Sequence, residues 1–437
     1  MLHDPSRHEP LQAIAWDEQR VLSAIAHIVQ TSRAAFDADR YWPPHPRDFE
    51  PGDDPTQRAT CLYYGAAGVA WALQHLQAVG AVDPDDQPPW PGPDLVQLLA
   101  HNRAWLMAGG LQRFESYLMG DTPILMLMCA QGPNADAEDR LAALIEANID
   151  HPARELMWGS PGTLLAALFM HQLTGQARWA DLFRATAARL WQQLLWSPEH
   201  QCHYWLQDLY GQQSSYIDGV HGFVATASPL IRGRALLAPS DWAAWAACIE
   251  NTVSRSATRE DGLANWRAQL LTKPGSTQKV LMQFCHGAPG FVICLGDLPG
   301  NALDGLLLEA GQAIWQAGPL TKGANLCHGT GGNGCAFLKL YQRTGDAVWL
   351  DRARAFAMHA IAQMEAEAAQ HGGRLRHSLW TGDEGLALYL WDCIRGRGEF
   401  PTLDVFFAAP RQGCQRDGAV AASATGAGAA SSIGGPT

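Results

Sequence analysis

Positive charge is scarce in this sequence. Its 31 Lys and Arg residues are outnumbered by 43 Asp and Glu residues, which gives a formal net charge of −12. Because binding to a phosphate backbone depends on a basic surface, this balance argues against a nucleic-acid partner. Long apolar runs are also missing, since no stretch approaches the roughly 20 residues of a membrane span. The N-terminus, MLHDPSRHEPLQ, has no apolar secretory stretch, so we expect a cytoplasmic protein without a transmembrane segment.

Disulfide bonds are a further absence that we expect, although the chain has ten cysteines. Cys129, Cys294 and Cys393 lie in apolar helical runs, where cysteine behaves as a small core residue. In a reducing compartment, a cysteine flanked by His and Gly is more often metal-binding or catalytic. Two such tripeptides, Cys285-His286-Gly287 and Cys327-His328-Gly329, lie 42 residues apart. Because a catalytic zinc takes thiolate and imidazole ligands and keeps one open position, they predict one metal site built from separate segments.

Strand-like alternation is scarce too, and helical repeats take its place. Seven turns with small residues each precede an apolar run, and their glycines are Gly65, Gly120, Gly159, Gly222, Gly287, Gly329 and Gly382. A helix that is apolar on all sides is buried, whereas the runs between these segments are amphipathic. Repeats of this length are typical of stacked helical pairs. We therefore predict an all-α protein, an α/α toroid with seven helical-hairpin repeats in an inner and an outer ring.

The domain organisation follows from length and composition. The 437 residues can bury a large core, and we predict a single toroid domain over residues 1–412. About residues 1–58 form its helical lead-in. Residues 413–437 are rich in Gly, Ala and Ser and cannot build a core, so we expect a flexible tail there.

These motifs resemble those of the lanthionine synthetase C-like proteins, and more closely those of the glutathione-binding LanC-like branch. The resemblance covers about residues 60–405 and rests on the seven turns, QFCHGAPG, KGANLCHGTGGNGCAFL and SLWTGDEGLALYL. It implies a seven-repeat α/α toroid with one zinc ion per chain at the centre of one rim. The implied ligands are Cys285, Cys327 and His328. His286 lies beside them but outside the implied ligand set, and we expect it to contact substrate.

The resemblance also implies a reaction, the addition of a thiol to dehydroalanine or dehydrobutyrine residues in a peptide or protein. The thiol comes from cysteine or glutathione, and the product is a thioether. Zinc ionises a bound thiol near neutral pH, and the enolate formed after attack needs an acid. His221 matches the family position with that task, and Glu155 matches a carboxylate position of the family, so we expect both to be catalytic.

Two cations refine the expected substrate. Lys322 and Arg374 match positions that contact glutathione in the LanC-like branch, and Arg376 competes with Arg374 for the second position. A cation near the zinc could hold a substrate carboxylate.

Three other interpretations remain open. The chain could be a non-catalytic zinc- and glutathione-binding regulatory protein, or a lanthipeptide cyclase proper. A glycosidase on the same fold would need two opposed carboxylates. At the turns, only Glu155 and the pair Asp383-Glu384 offer carboxylates, and the two thiolates would then have no task.

Overall fold

The computed structural model describes residues 2–49, 56–82, 90–272 and 280–408, so the predicted tail at 413–437 lies outside the described residues. The described residues form fourteen α-helices. In chain order these are α1 (Glu18–Ala35), α2 (Ala66–Ala78), α3 (Leu95–Ala108), α4 (Thr122–Ala130), α5 (Ala135–Asn148), α6 (Ser160–Thr174), α7 (Ala177–Gln192), α8 (Phe223–Arg232), α9 (Pro239–Ser256), α10 (Ala288–Leu295), α11 (Asp304–Ala317), α12 (Thr330–Thr344), α13 (Ala347–Gln370) and α14 (Asp383–Arg395). Among these helices, none combines the length and apolar character that crossing a bilayer requires.

The even-numbered helices form a closed inner ring. Each of them contacts the next along the chain, and α14 returns to contact α2. The odd-numbered helices lie outside: α7 packs on α6, α13 packs on α12, and α1 packs on α14, which closes the outer layer. The predicted α/α toroid of seven helical hairpins in two rings is therefore confirmed.

The two rings differ in the way that their sequences predict. The inner helix α6 is buried continuously from Ser160 to Met170, because nearly every side chain there is small or apolar. The outer helix α13 is buried throughout only in its middle, from Phe356 to Ile361, and toward its ends only single residues such as Ala353 are buried. It ends at Gln370, and Gly372 follows with a φ of +67°, a backbone conformation that suits glycine at a helix end.

In the described part of the chain, three short antiparallel hairpins lie in the loops between helices. They are formed by β1 (Leu195–Ser197) with β2 (Cys202–Tyr204), β3 (Gln207–Leu209) with β4 (Gln212–Ser214), and β5 (Ala257–Glu260) with β6 (Leu263–Trp266). The sequence analysis did not predict them, because strands of three or four residues are too short to show alternation. A local signal existed: the two-residue loops Tyr210-Gly211 and Asp261-Gly262 have positive φ at both positions, as type I′ hairpin turns require.

The seven turns meet at one rim of the toroid, where the inner helices begin. Backbone N–H groups link six of the seven pairs of neighbouring turns. The N···O distances are 3.0 Å from Tyr63 to Leu118, 3.4 Å from Leu118 to Met157, 3.1 Å from Leu156 to Val220, 3.1 Å from Cys285 to Cys327, 2.8 Å from Cys327 to Trp380 and 3.1 Å from Trp380 to Tyr63. Between the fourth and fifth turns, Gly219 packs so closely on Phe284 that a Cβ would lie 2.6 Å from the Phe284 carbonyl oxygen. Equivalent residues of successive repeats are therefore neighbours around the rim.

Candidate active site

Three possible metal ligands converge at the fifth and sixth turns. Cys285, Cys327 and His328 each offer one ligand atom, and these atoms all lie within 4.8 Å of one another. The two cysteines take the same position, two residues before the turn glycine, in adjacent repeats. Both cysteines are buried and His328 is half-buried. Two sulfurs and one imidazole nitrogen within reach of one ion match the donor set that zinc prefers.

The two thiols influence each other's ionisation. A hydrogen bond from Cys285 is the main cause that lowers the pKa of Cys327 below the ordinary value of a thiol. The same bond, followed by burial, raises the pKa of Cys285 well above its ordinary value. The pair therefore already favours one thiolate, which is the form that binds metal.

Each sulfur also has a side-chain donor. The Tyr63 hydroxyl donates to Cys327 Sγ at 2.9 Å, and Gln283 Nε2 donates to Cys285 Sγ at 2.9 Å. Arg7, from the lead-in, donates from Nη2 to Gln283 Oε1 at 2.9 Å. The sequence analysis missed Tyr63 and Gln283. Aligning the seven turns would have offered a signal for Tyr63, because it holds the position of the two cysteines in the first repeat.

His221 and Glu155 form a buried hydrogen-bonded pair beside these ligands. His221 Nδ1 lies 2.8 Å from Glu155 Oε2, and the Glu155 carboxylate is fully buried. That carboxylate also accepts backbone N–H groups of Met157 at 2.9 Å and Trp158 at 2.5 Å. Burial disfavours the charged imidazole, but the Glu155 hydrogen bond and charge outweigh it and raise the pKa of His221 to about 9. His221 is therefore protonated near neutral pH and can act as an acid.

His286 also forms a hydrogen-bonded pair with a buried carboxylate, as His221 does with Glu155. Its Nδ1 lies 2.6 Å from Oδ2 of the buried Asp218, which the sequence analysis did not single out. Burial opposes protonation of His286, yet the charge and hydrogen bond of Asp218, together with the charge of Cys285, outweigh it and raise the pKa of the imidazole. The His221 and His286 ring centroids are 6.3 Å apart. Both pairs have the same spacing along the sequence. The carboxylate lies four residues before the glycine of one turn, and the histidine directly precedes the glycine of the next turn.

The three candidate cations lie at different depths. Lys322 is exposed, but its charge helps to lower the pKa of Cys327. Arg376 is half-buried, donates from Nε to Asp48 Oδ1 at 2.7 Å, and acts electrostatically on Tyr63. Arg374 lies on the exposed stretch that follows α13. The structure thus links Lys322 and Arg376 to the ligand group, and the choice between Arg374 and Arg376 stays a prediction.

Comparisons with known sequences identify the family of the chain. The family profile described as "Lanthionine synthetase C-like protein" matches residues 130–405. Glutathione S-transferase LANCL1 of Danio rerio is 34% identical over 141 residues, which make up 30% of this chain and 33% of that protein. LanC-like protein GCL1 of Arabidopsis thaliana is 31% identical over 131 residues, 28% of this chain and 29% of that protein. The aligned segment thus spans about a third of the length of these curated relatives.

A solved structure shows the same architecture. Nisin cyclase superimposes with a TM-score of 0.51, covering 86% of this chain and 93% of that chain, at 13% sequence identity. At this identity the likeness establishes the fold alone, and it supports the double ring of helices described above.

Proposed function

This chain belongs to the lanthionine synthetase C-like family, and from that premise we propose that it adds a thiol to dehydroalanine or dehydrobutyrine residues in a peptide or protein, as a zinc enzyme. The thiol is that of cysteine or glutathione, and the product is a thioether with a new C–S bond. One observation carries the proposal: a Cys/Cys/His ligand group lies on the same rim as an imidazole that is hydrogen-bonded to a buried glutamate.

Cys285, Cys327 and His328 would hold one zinc ion per chain. Bound zinc supplies the Lewis acidity that keeps a substrate thiol ionised near neutral pH. Tyr63 and Gln283 hold the two cysteine sulfurs in place through their hydrogen bonds, as outer partners of metal ligands do.

His221 supplies the proton that completes the addition. When the sulfur attacks the β-carbon of the dehydro residue, the electron pair of the double bond moves toward the carbonyl and the α-carbon must then take a proton. Glu155 holds His221 Nδ1, so Nε2 is the nitrogen that can release a proton to substrate. The proton lost by the incoming thiol restores the imidazolium. General acid catalysis of this kind contributes about 10²–10⁴-fold to a rate.

Glutathione is the thiol that the surroundings favour. Lys322 is an exposed cation whose charge helps to lower the pKa of Cys327, and Arg376 is a second cation that acts electrostatically on Tyr63. Cations that act on the ligand group suit the carboxylates of a peptide-like thiol, because charge-assisted hydrogen bonds are strong and directional. Arg374 and His286 complete the groups that we propose to contact substrate. A relative named as a glutathione S-transferase is consistent with this choice.

We propose a cytoplasmic location on the chemistry of the ligands. The nine cysteines of the described residues are all buried and free of disulfides, and thiolate ligands persist in a reducing compartment.

The test is incubation of the zinc-loaded protein with glutathione and a peptide that contains one dehydroalanine. We expect a product heavier by one glutathione in mass spectrometry, and its loss in Cys327→Ala. A peptide carrying its own cysteine, without glutathione, tests ring closure and hence the lanthipeptide cyclase. Binding of zinc and glutathione without product in either assay would favour the regulatory protein, in which the Glu155–His221 pair has no task.

A further inference from the structure

A second group of possible metal ligands lies outside the site described above. His45, Glu367 and His371 each offer one ligand atom, and these three atoms lie within 4.8 Å of one another. Glu367 lies in the last turn of α13 and His371 directly follows the helix, so their spacing of four puts them on one face. We propose that these residues bind a divalent transition-metal ion that fastens the N-terminal segment around His45 to α13.

Two atoms of this group lack hydrogen-bond partners although they are buried. His45 is only 2% exposed, and neither its Nε2 nor Oε1 of Glu367 has a hydrogen-bond partner among the described residues. Buried polar atoms are nearly always satisfied in native proteins, so an orphaned imidazole nitrogen and carboxylate oxygen in one group call for a common explanation. A cation between them satisfies both atoms at once.

The neighbouring atoms are already fixed in the way that metal sites require. Arg47 Nη1 donates to Glu367 Oε2 at 2.7 Å, which leaves Oε1 as the oxygen for a metal. The backbone N–H of His45 donates to Asp48 Oδ2 at 2.8 Å. The His45 and His371 rings lie edge to face with centroids 4.5 Å apart. A ligating carboxylate whose second oxygen is hydrogen-bonded is the usual outer arrangement of such sites.

Metal binding at His45 Nε2 has one local cost. A neutral imidazole that ligates through Nε2 carries its proton on Nδ1, and here Nδ1 accepts the Arg47 backbone N–H at a long distance of 3.3 Å. Binding would exchange that weak hydrogen bond for a metal–nitrogen bond. The net protonation of the ring does not change, because a proton lost from Nε2 to solvent is replaced by one gained at Nδ1.

The donor set selects the class of metal. Two imidazole nitrogens and one carboxylate oxygen suit borderline ions such as Zn²⁺, Co²⁺, Ni²⁺ and Fe²⁺, whereas Ca²⁺ and Mg²⁺ prefer oxygen ligands alone. The site also adjoins the segment that carries Lys322. Arg47 Nη2 donates to the Lys322 carbonyl oxygen at 3.5 Å, and a Cβ on Gly323 would lie 3.1 Å from Glu367 Oε2. An ion here would therefore stiffen the base of that segment.

The test counts zinc per chain in purified protein after stripping and reloading with Zn²⁺. We expect two zinc ions in the natural protein and one in His371→Ala or Glu367→Gln. One ion should also remain when Cys285 and Cys327 are both replaced by alanine, and none when His371→Ala is added. His27→Ala is the matched control, because His27 is an exposed histidine of α1, and it should keep both ions.

Titration with Co²⁺ gives a readout that does not need the cysteine variants to fold. Sulfur-to-cobalt charge-transfer bands should saturate at one equivalent, and a second equivalent should change only the visible ligand-field bands. That second change should disappear in His371→Ala. One bound ion in the natural protein, two in both single variants, or an equal loss in His27→Ala would overturn the proposal.

Discussion

The rim has two sides with the same backbone arrangement but different side chains. At the position before the turn glycine, the fourth to sixth repeats carry His221, His286 and His328, whereas the first three carry Tyr64, Met119 and Trp158. One position earlier, the fifth and sixth repeats carry cysteine where the second and third carry Leu118 and Met157. The backbone hydrogen bonds run around both sides. The fold therefore supplies equivalent positions, and side-chain identity alone decides which side can do chemistry.

The side chains that cap the turns show how the two sides of the rim come to differ. A side chain four residues before the glycine accepts the backbone N–H that precedes the glycine: Ser116 Oγ accepts from Met119 at 2.8 Å, and Asp218 Oδ1 accepts from His221 at 2.8 Å. Ser116 also donates from Oγ to the Met157 carbonyl oxygen of the next turn at 2.5 Å, but its uncharged hydroxyl holds no imidazole. Asp218 and Glu155 complete their own turns and also reach an imidazole of the next repeat. One substitution type thus turns a structural cap into half of an acid–base pair.

The largest expected difference between the two sides is in metal binding. Cys285→Ala removes one ligand, so we expect loss of zinc from the rim site and product formation at background level. Leu118→Ala alters the equivalent position of the second repeat, where we expect retained zinc and a loss of about 2–5 kcal/mol in the free energy of unfolding from the cavity it leaves. Metal analysis and denaturant unfolding measure both. Equal zinc loss in the two variants would remove the distinction between the sides.

Glu155→Ser should leave a side chain that caps its own turn but no longer forms an acid–base pair with His221. Because serine still accepts the turn N–H, we expect a folded protein whose rate falls about 10²–10⁴-fold, the range of general acid catalysis. Without the carboxylate, only the charges of Asp218 and Cys285 oppose the effect of burial, so the pKa of His221 falls. The rate of the natural protein should decline as pH rises toward about 9, the pKa of His221. The decline should move to lower pH in the variant, and an identical pH–rate profile would contradict the assigned role.

A smaller effect is expected at the cations. Lys322→Ala removes a charge-assisted contact, so we expect KM for glutathione to rise about 10- to 150-fold with little change in kcat, since one such contact is worth about 1.5–3 kcal/mol. Arg376→Ala and Arg374→Ala form a matched pair that decides which arginine shares this task. Steady-state kinetics with varied glutathione provide the measurement. A change in kcat with constant KM would place Lys322 in the chemical step instead.

The smallest effect is expected on the side of the rim that the first three repeats form, where Trp158 lies. Trp158 Nε1 donates to the hydroxyl of Tyr210, which is 78% exposed at the tip of the β3–β4 hairpin. Tyr210→Phe removes that hydrogen bond, and we expect unchanged zinc and at most a change of a few-fold in KM for the peptide. Kinetics with peptides of different flanking residues measure it. Loss of zinc in this variant would show that the two sides are not independent.

Much of this arrangement could be predicted from the sequence. The seven glycine turns and the apolar runs after them predicted the inner helices, because a helix buried on all sides must be apolar throughout. The Cys-His-Gly tripeptides pointed to the ligand group that the structure brings together. Asp218, Tyr63 and Gln283 were missed because each is an ordinary residue in its local sequence. The group of His45, Glu367 and His371 was missed for the same reason, since nothing local links residue 45 to α13.

The sequence alone therefore determined which segments become helices, where the turns fall and which residues carry ionisable groups, because hydrophobic periodicity and glycine placement are local properties. Closure of the ring decided which of these residues come into contact. Glu155 finds its partner 66 residues away in His221, and Tyr63 of the first repeat reaches Cys327 across 264 residues. The burial that, together with the Glu155 charge, sets the pKa of His221 likewise exists only once the turns meet. Such contacts depend on long-range packing, which no stretch of sequence contains by itself.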